Sequence, residues 1–173
     1  MKRNSISKIL NDPVYGFITL NKGILLNIVD HHFFQRLSRI KQLGLTYLVY
    51  PGAHHTRFHH AIGAAHLMGQ AIHTLKENGF SISEEERISL TLAILLHDIG
   101  HGPFSHALEH SFVEGINHEN ISSLFMDSLN KELDGALDMA IEIFDNRYPK
   151  KFLHHLVSSQ LDMDRLEDRK SVV

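Results

Sequence analysis

Leu90-Thr91-Leu92-Ala93-Ile94-Leu95-Leu96 runs directly into His97-Asp98-Ile99-Gly100-His101-Gly102-Pro103, and the reading of this stretch decides the fold. Its first seven residues would present apolar surface on every side of a helix, a pattern that belongs to a central, fully buried helix. Ser83-Glu84-Glu85-Glu86 opens that helix as a capping box, in which the Ser83 hydroxyl takes a free backbone N–H and Glu86 reaches back. The helix closes on ionisable groups, which are costly at the end of a buried element unless something satisfies them. Two arrangements would do so. A divalent cation binds a neutral imidazole nitrogen and a carboxylate oxygen together. Alternatively, His97 caps carbonyls at the helix end and Asp98 pairs with a neighbouring base.

Upstream, a helix is expected from about Thr56 to Glu77, stopped by Asn78-Gly79. A loop through Tyr50-Pro51-Gly52-Ala53 precedes it. An earlier helix is expected over Ile28 to Lys41, with Phe33, Phe34, Leu37 and Ile40 on its buried side. Before that, Asp12-Pro13-Val14-Tyr15-Gly16 supplies turn residues followed by β-type residues, which predicts a short hairpin or an extended arm. Downstream, shorter helices are expected at Ser105–Val113, His118–Leu129, Ala136–Phe144 and Lys150–Ser159. The fold class is therefore all-α, an irregular helical bundle with a short N-terminal hairpin or arm. No internal repeat or linker divides it.

Composition bounds the function. With 173 residues and 43% hydrophobic content the chain can bury the core of one domain. A net charge of −3 creates no field that would draw in nucleic acid or an anionic membrane. No apolar run approaches the roughly 20 residues of a membrane helix, and no signal-type region follows Met1-Lys2-Arg3-Asn4. The absence of cysteine excludes disulfides and thiolate metal sites, and a cytoplasmic location is the natural expectation. Fifteen histidines are a clear excess, so a metal site would be built from nitrogen and oxygen donors.

Further motifs stand in order along the chain: Asn11-Asp12-Pro13, Phe34-Gln35-Arg36-Leu37, Ile40-Lys41-Gln42-Leu43-Gly44, Tyr50-Pro51-Gly52-Ala53, Arg57-Phe58-His59-His60, then His97 to His106, Asn117-His118-Glu119 and Leu161-Asp162-Met163-Asp164-Arg165-Leu166. From about Lys8 to Leu166 this series resembles the HD superfamily of metal-dependent phosphohydrolases. Within it, the series is similar to the deoxynucleoside triphosphate triphosphohydrolases of the SAM and HD domain-containing type, without a SAM domain. The resemblance implies an HD-domain bundle with one divalent ion (manganese, iron, magnesium, cobalt or zinc) held by His60, His97, Asp98 and Asp164. Such an ion would lower the pKa of a water and polarise phosphorus.

The resemblance also implies roles around the ion. Arg57 would contact the triphosphate, its guanidinium fork suiting phosphate oxygens; pairing with a nearby acid is the alternative. His101, His106 and His118 would contact phosphate or move protons, with His106 protonating the leaving nucleoside oxygen and Glu109 orienting it. Gln42 and Leu43 match positions that contact the sugar, although Leu43 also suits plain core packing. Arg165 matches a basic residue on phosphate, and Lys41 and Arg36 read as surface charges or nucleotide contacts. Ser38 departs from an Arg of the regulated vertebrate enzymes, which puts their allosteric control in doubt. The remaining histidines are expected at surface or capping positions.

The expected reaction is hydrolysis of a deoxynucleoside triphosphate to deoxynucleoside and tripolyphosphate, in a parent enzyme that forms a homo-oligomer. Two alternatives stay open. One is the same chemistry on a cyclic nucleotide, guanosine tetraphosphate or a nucleoside monophosphate; the other is a non-catalytic regulatory module that binds nucleotide. The family pattern stops after Leu166. Residues 1–166 read as the N-terminal part of an HD phosphohydrolase domain. Residues 167–173, with Asp-Arg-Lys-Ser-Val-Val resembling a translated sequencing adapter, read as a non-native tail that would leave Asp164 near a fraying end. On that reading Asp is the expected native residue at position 167, and a natural charged tail is the alternative.

Overall fold

The computed structural model describes residues 7–104, 118–159 and 163–167. At its centre lies the stretch that opened the sequence reading. Helix α4 (Glu84–Leu96) follows β1 (Ser7–Asp12), β2 (Gly16–Asn21), α1 (Ile24–Asp30), α2 (His32–Gln35) and the long α3 (Arg57–Glu77). It precedes α5 (His118–Glu132), α6 (Asp138–Phe144), α7 (Lys151–Val157) and α8 (Met163–Glu167). The described residues are mostly helical, with one two-stranded sheet, as expected.

Every residue from Ser89 to Leu96 is buried. Each buried Leu or Ile contributes about 1.5–3 kcal/mol, so this one helix anchors much of the core. Helix α4 packs chiefly against α3 on one side and α6 on another. Its start is the expected capping box: Ser83 Oγ accepts the Glu86 N–H at 3.0 Å and Glu86 Oε2 accepts the Ser83 N–H at 2.8 Å. Helix α3 matches its expected span, with Thr56 as N-cap and Gly79 in the left-handed region (φ 86°) just beyond its end.

The N-terminal segment is the hairpin alternative. β1 and β2 pair antiparallel from Ser7↔Asn21 to Asp12↔Gly16. Asp12 Oδ1 accepts the N–H groups of Val14 and Tyr15 at 2.9 and 3.0 Å, and Gly16 takes φ 73° to return the chain.

One expectation needs correction. The single helix over Ile28–Lys41 is instead α1, a corner, α2 and a 3₁₀ turn at Arg36–Arg39. His31 is extended (φ −69°, ψ 141°), and its Nδ1 accepts the Phe33 N–H at 3.3 Å, which starts a new helix. The corner turns Ile28 and Val29 on one side and Phe34 and Leu37 on the other into the same core, while Phe33 is only half-buried. The loop that follows is pinned shut at its base: Gln42 N–H donates to His55 O at 3.1 Å and Arg57 N–H to Ile40 O at 2.9 Å. The expected helix Ser105–Val113 lies outside the described residues. No helix among the described residues is long and apolar enough to cross a membrane.

Candidate metal centre

The turn after α4 is held from three directions. Gly100 sits so close to α5 that a Cβ there would fall 2.4 Å from His118 O and 2.4 Å from Ser122 N. Ser122, fully buried, accepts the Gly100 N–H at 2.9 Å and donates to His97 O at 2.7 Å. Arg36 reaches over with its guanidinium, donating to His101 O at 2.9 Å and to Ile99 O, and lies 4.9 Å from the Phe125 ring. Arg36 is thus a clamp on this turn, and nothing in its sequence neighbourhood announces that role.

This clamping presents the side chains. His97 Nδ1 lies 2.6 Å from Ile94 O, which places its proton on Nδ1 and turns Nε2 outward. Asp164 Oδ1, from α8, stands 3.0 Å from His97 Nε2 and 2.7 Å from His60 Nε2 on α3. Asp98, 7% exposed, faces three groups. Its Oδ1 is 3.5 Å from His97 Nε2 and 3.2 Å from His101 Nε2, and its Oδ2 is 2.5 Å from Arg57 Nη1. The His101 and His118 rings stack at 4.1 Å. The donors therefore fall into two adjoining groups, His60–His97–Asp164 and Asp98–His101–His118, each with its ligand atoms within 4.8 Å of one another. Asp98 links them.

The charges explain one another. Burial opposes charge on Asp98, but His97, His101 and Arg57 together hold its carboxyl well below the usual range. Burial likewise opposes an imidazolium at His97, yet Asp98 and Asp164 outweigh it and push His97 up to about 10. Asp164 is held low against its own burial by the bonds from His60 and His97. His101 goes the other way: burial lowers it, and the neighbouring Arg57 and His118 charges help, against the pull of Asp98. The Asp98 and Asp164 carboxylates on either side of His97 Nε2 make this a place that favours positive charge. Two imidazole nitrogens with the buried Asp98 and half-buried Asp164 carboxylates at such a place suit a divalent cation, which would replace the proton.

Arg57 is 2% exposed and committed to Asp98, which is the acid-pairing alternative in this arrangement. Gln42 and Leu43 are half-buried in the 41–56 loop, whose base is bonded to the start of α3 and so to Arg57. Arg165 is exposed beside Asp164. His106 and Glu109 lie outside the described residues. The expectation of a surface charge or nucleotide contact at Arg36 is corrected by its bonds to the turn, and Ser122, Tyr15 and Glu167 had no expected place near the site. Tyr15 Oη donates to Glu167 Oε2 at 2.5 Å, and burial together with this bond raises the Tyr15 phenol. Each acts through a contact more than sixty residues away or through a single hydroxyl, and leaves no periodic signal.

Comparison with known proteins bears on the same region. The HD domain family model matches residues 57–164. The fold superposes on the crystal structure of a phosphohydrolase from Bacteroides thetaiotaomicron VPI-5482 with a TM-score of 0.92 and 56% identity, covering 96% of this chain and 42% of that one. An uncharacterized Bacillus subtilis protein, YwfO, is 34% identical over 170 residues, 94% of this chain and 39% of its own length. The deoxynucleoside triphosphate triphosphohydrolase SAMHD1 of Gallus gallus is 43% identical over 125 residues, 68% of this chain and 20% of that protein. The chain thus spans about two fifths of the first two proteins and a fifth of the third.

Proposed function

This chain belongs to the HD domain family, and from that premise we propose that it forms the metal-holding part of a nucleotide phosphohydrolase, with a deoxynucleoside triphosphate as substrate and tripolyphosphate as a product. His60, His97, Asp98 and Asp164 would hold one divalent cation. The observation that carries this reading is the meeting of His60, His97 and Asp164 from three separate helix regions, with Asp98 3.5 Å from His97. Phosphohydrolase and triphosphohydrolase names among the relatives support the substrate class. When bound, the cation supplies Lewis acidity toward phosphate oxygens and lowers the pKa of an attacking water.

The chain's own groups do the rest. With Asp98 Oδ1, on the His97 side, holding a cation and Oδ2 kept by Arg57 Nη1, the remaining N–H groups of the Arg57 fork would suit phosphate oxygens. Burial keeps His101 largely neutral near pH 7, so it can accept a proton or donate a hydrogen bond at the phosphate. His118, stacked on His101, extends the same wall. His106 would protonate the leaving oxygen, with Glu109 orienting it. Gln42 and Leu43 would meet the sugar, and Arg165 the outer phosphates.

A direct assay tests this. The protein is incubated with manganese and, in turn, dNTPs, cyclic nucleotides, guanosine tetraphosphate and nucleoside monophosphates, with Asp98→Ala as control. Manganese-dependent release of tripolyphosphate from dNTPs, abolished in Asp98→Ala, is expected. Turnover confined to another nucleotide would replace the substrate; nucleotide binding without any turnover would replace catalysis with a regulatory role.

A further inference from the structure

Helix α5 bears on the turn after α4 in two ways. Ser122 bonds it directly, at Gly100 N–H and His97 O. Phe125 follows Ser122 by three residues, on the same helix face. Its half-buried ring lies under the Arg36 guanidinium, 4.9 Å from centroid to carbon. Arg36 in turn donates to Ile99 O and His101 O, the carbonyls on either side of Gly100. Phe33 of α2 stands nearly perpendicular against the Phe125 ring, with centroids 4.9 Å apart and planes at 74°. Helix α2 has four residues, too few to hold a place alone. His31 at its N-cap, 3.1 Å from Glu132 Oε2, ties it to the end of α5.

A guanidinium half out of water has lost hydration, and burial works against the Arg36 charge. The electron-rich face of an aromatic ring offsets part of that loss. An aliphatic side chain of similar bulk does not. Without the ring, the relief open to Arg36 is to swing its head toward water, and Ile99 O and His101 O then lose their donor. We infer that Phe125 and Phe33 are positioning residues: the Phe125 face seats the Arg36 guanidinium, Phe33 steadies that ring, and the turn carrying Asp98 and His101 is placed through them. For its consequence the inference rests on the proposed cation site. Groups that orient a metal ligand typically change affinity 10–100-fold when removed.

The test compares wild type with Phe125→Leu, Phe125→Tyr, Phe33→Leu, Arg36→Met and Asp98→Ala. Two quantities are read: the carbonyl ¹³C signals of Ile99 and His101 in metal-free protein, which report the loss of a donor, and manganese affinity by titration calorimetry. Phe125→Leu keeps apolar bulk without the ring. It should move both carbonyl signals toward those of Arg36→Met and weaken manganese binding about tenfold. Phe125→Tyr keeps the ring and should match wild type in both quantities. Wild-type carbonyl signals in Phe125→Leu or Arg36→Met overturn the inference, even if the thermal midpoint falls. A displacement in Phe125→Tyr as large as in Phe125→Leu overturns it too, as does displacement with wild-type affinity. If Phe125→Leu fails to fold, Phe33→Leu is read in its place: displaced carbonyl signals uphold the role and wild-type ones refute it. Should wild type and Asp98→Ala bind manganese equally or not at all, the cation reading itself fails, and the carbonyl signals alone decide the positioning role.

Discussion

Gly100 has no room for a side chain. A Cβ would meet two backbone atoms of α5 at 2.4 Å, so neither neighbour can give way by rotating a side chain. Gly100→Ala should therefore destabilise the protein by about 1–3 kcal/mol through overpacking and should weaken metal binding, because the turn carrying His97 and Asp98 must move with it. Urea denaturation and calorimetry check both parts. Ser122 makes the complementary case. Its hydroxyl satisfies the Gly100 N–H and the His97 carbonyl at once, so Ser122→Ala leaves two buried backbone groups unmet. A loss of about 1–3 kcal/mol is expected in the same denaturation experiment.

At the level of elements, the start of α4 shows a motif doing more than its sequence discloses. Glu86 completes the capping box, but its two oxygens also lie 2.8 Å from Lys150 Nζ, and Oε1 accepts the Tyr148 hydroxyl at 2.8 Å. The box therefore also ties α4 to the segment before α7. Burial alone would raise the Glu86 carboxyl; the Lys150, Ser83 and Tyr148 donors reverse this and hold it below its ordinary 4.5. A carboxylate with a depressed folded pKa stabilises fully above the unfolded value, and that stabilisation fades as pH falls through the folded one. Glu86→Gln should thus cost about 1–3 kcal/mol at pH 7, with the difference from wild type shrinking steadily below 4.5. Thermal melts across that range would reveal a pH-independent gap if the idea is wrong. The corner at His31 teaches the reverse lesson: apolar spacing marked Phe34, Leu37 and Ile40 as buried, but a local cap divided the helix and left Phe33 half-buried.

For the whole molecule, a cation held from α3, the turn after α4 and α8 would join three parts of the chain that are distant in sequence. Ligand binding to the folded state alone stabilises by about 2.7 kcal/mol at a hundredfold excess over Kd. Manganese should accordingly raise the thermal midpoint of wild type by about 5–10 °C, and a chelator should return it. Asp164→Ala should show no such rise in a thermal-shift measurement. An equal rise in that variant would mean the stabilising site lies elsewhere.

Resemblance to the family implied which residues would hold a metal, and the sequence by itself determined the class of fold and the central buried helix with its capping box. These depend on periodicity, local hydrogen bonding and residue type, all of which are written in neighbouring positions. His97 and Asp98 were legible for the same reason, since ionisable groups at the end of an all-apolar helix demand an explanation. Tertiary structure decided how the donors divide, with Asp98 taken by Arg57 and His101 while Asp164 joins His60 and His97. It also supplied the clamps: Arg36 and Ser122 on the turn, and Tyr15 on Glu167. Those contacts join residues whose separation in the chain is 22 at the least and 152 at the most. Only the packing of the helices brings such partners together, so no local pattern could have announced them.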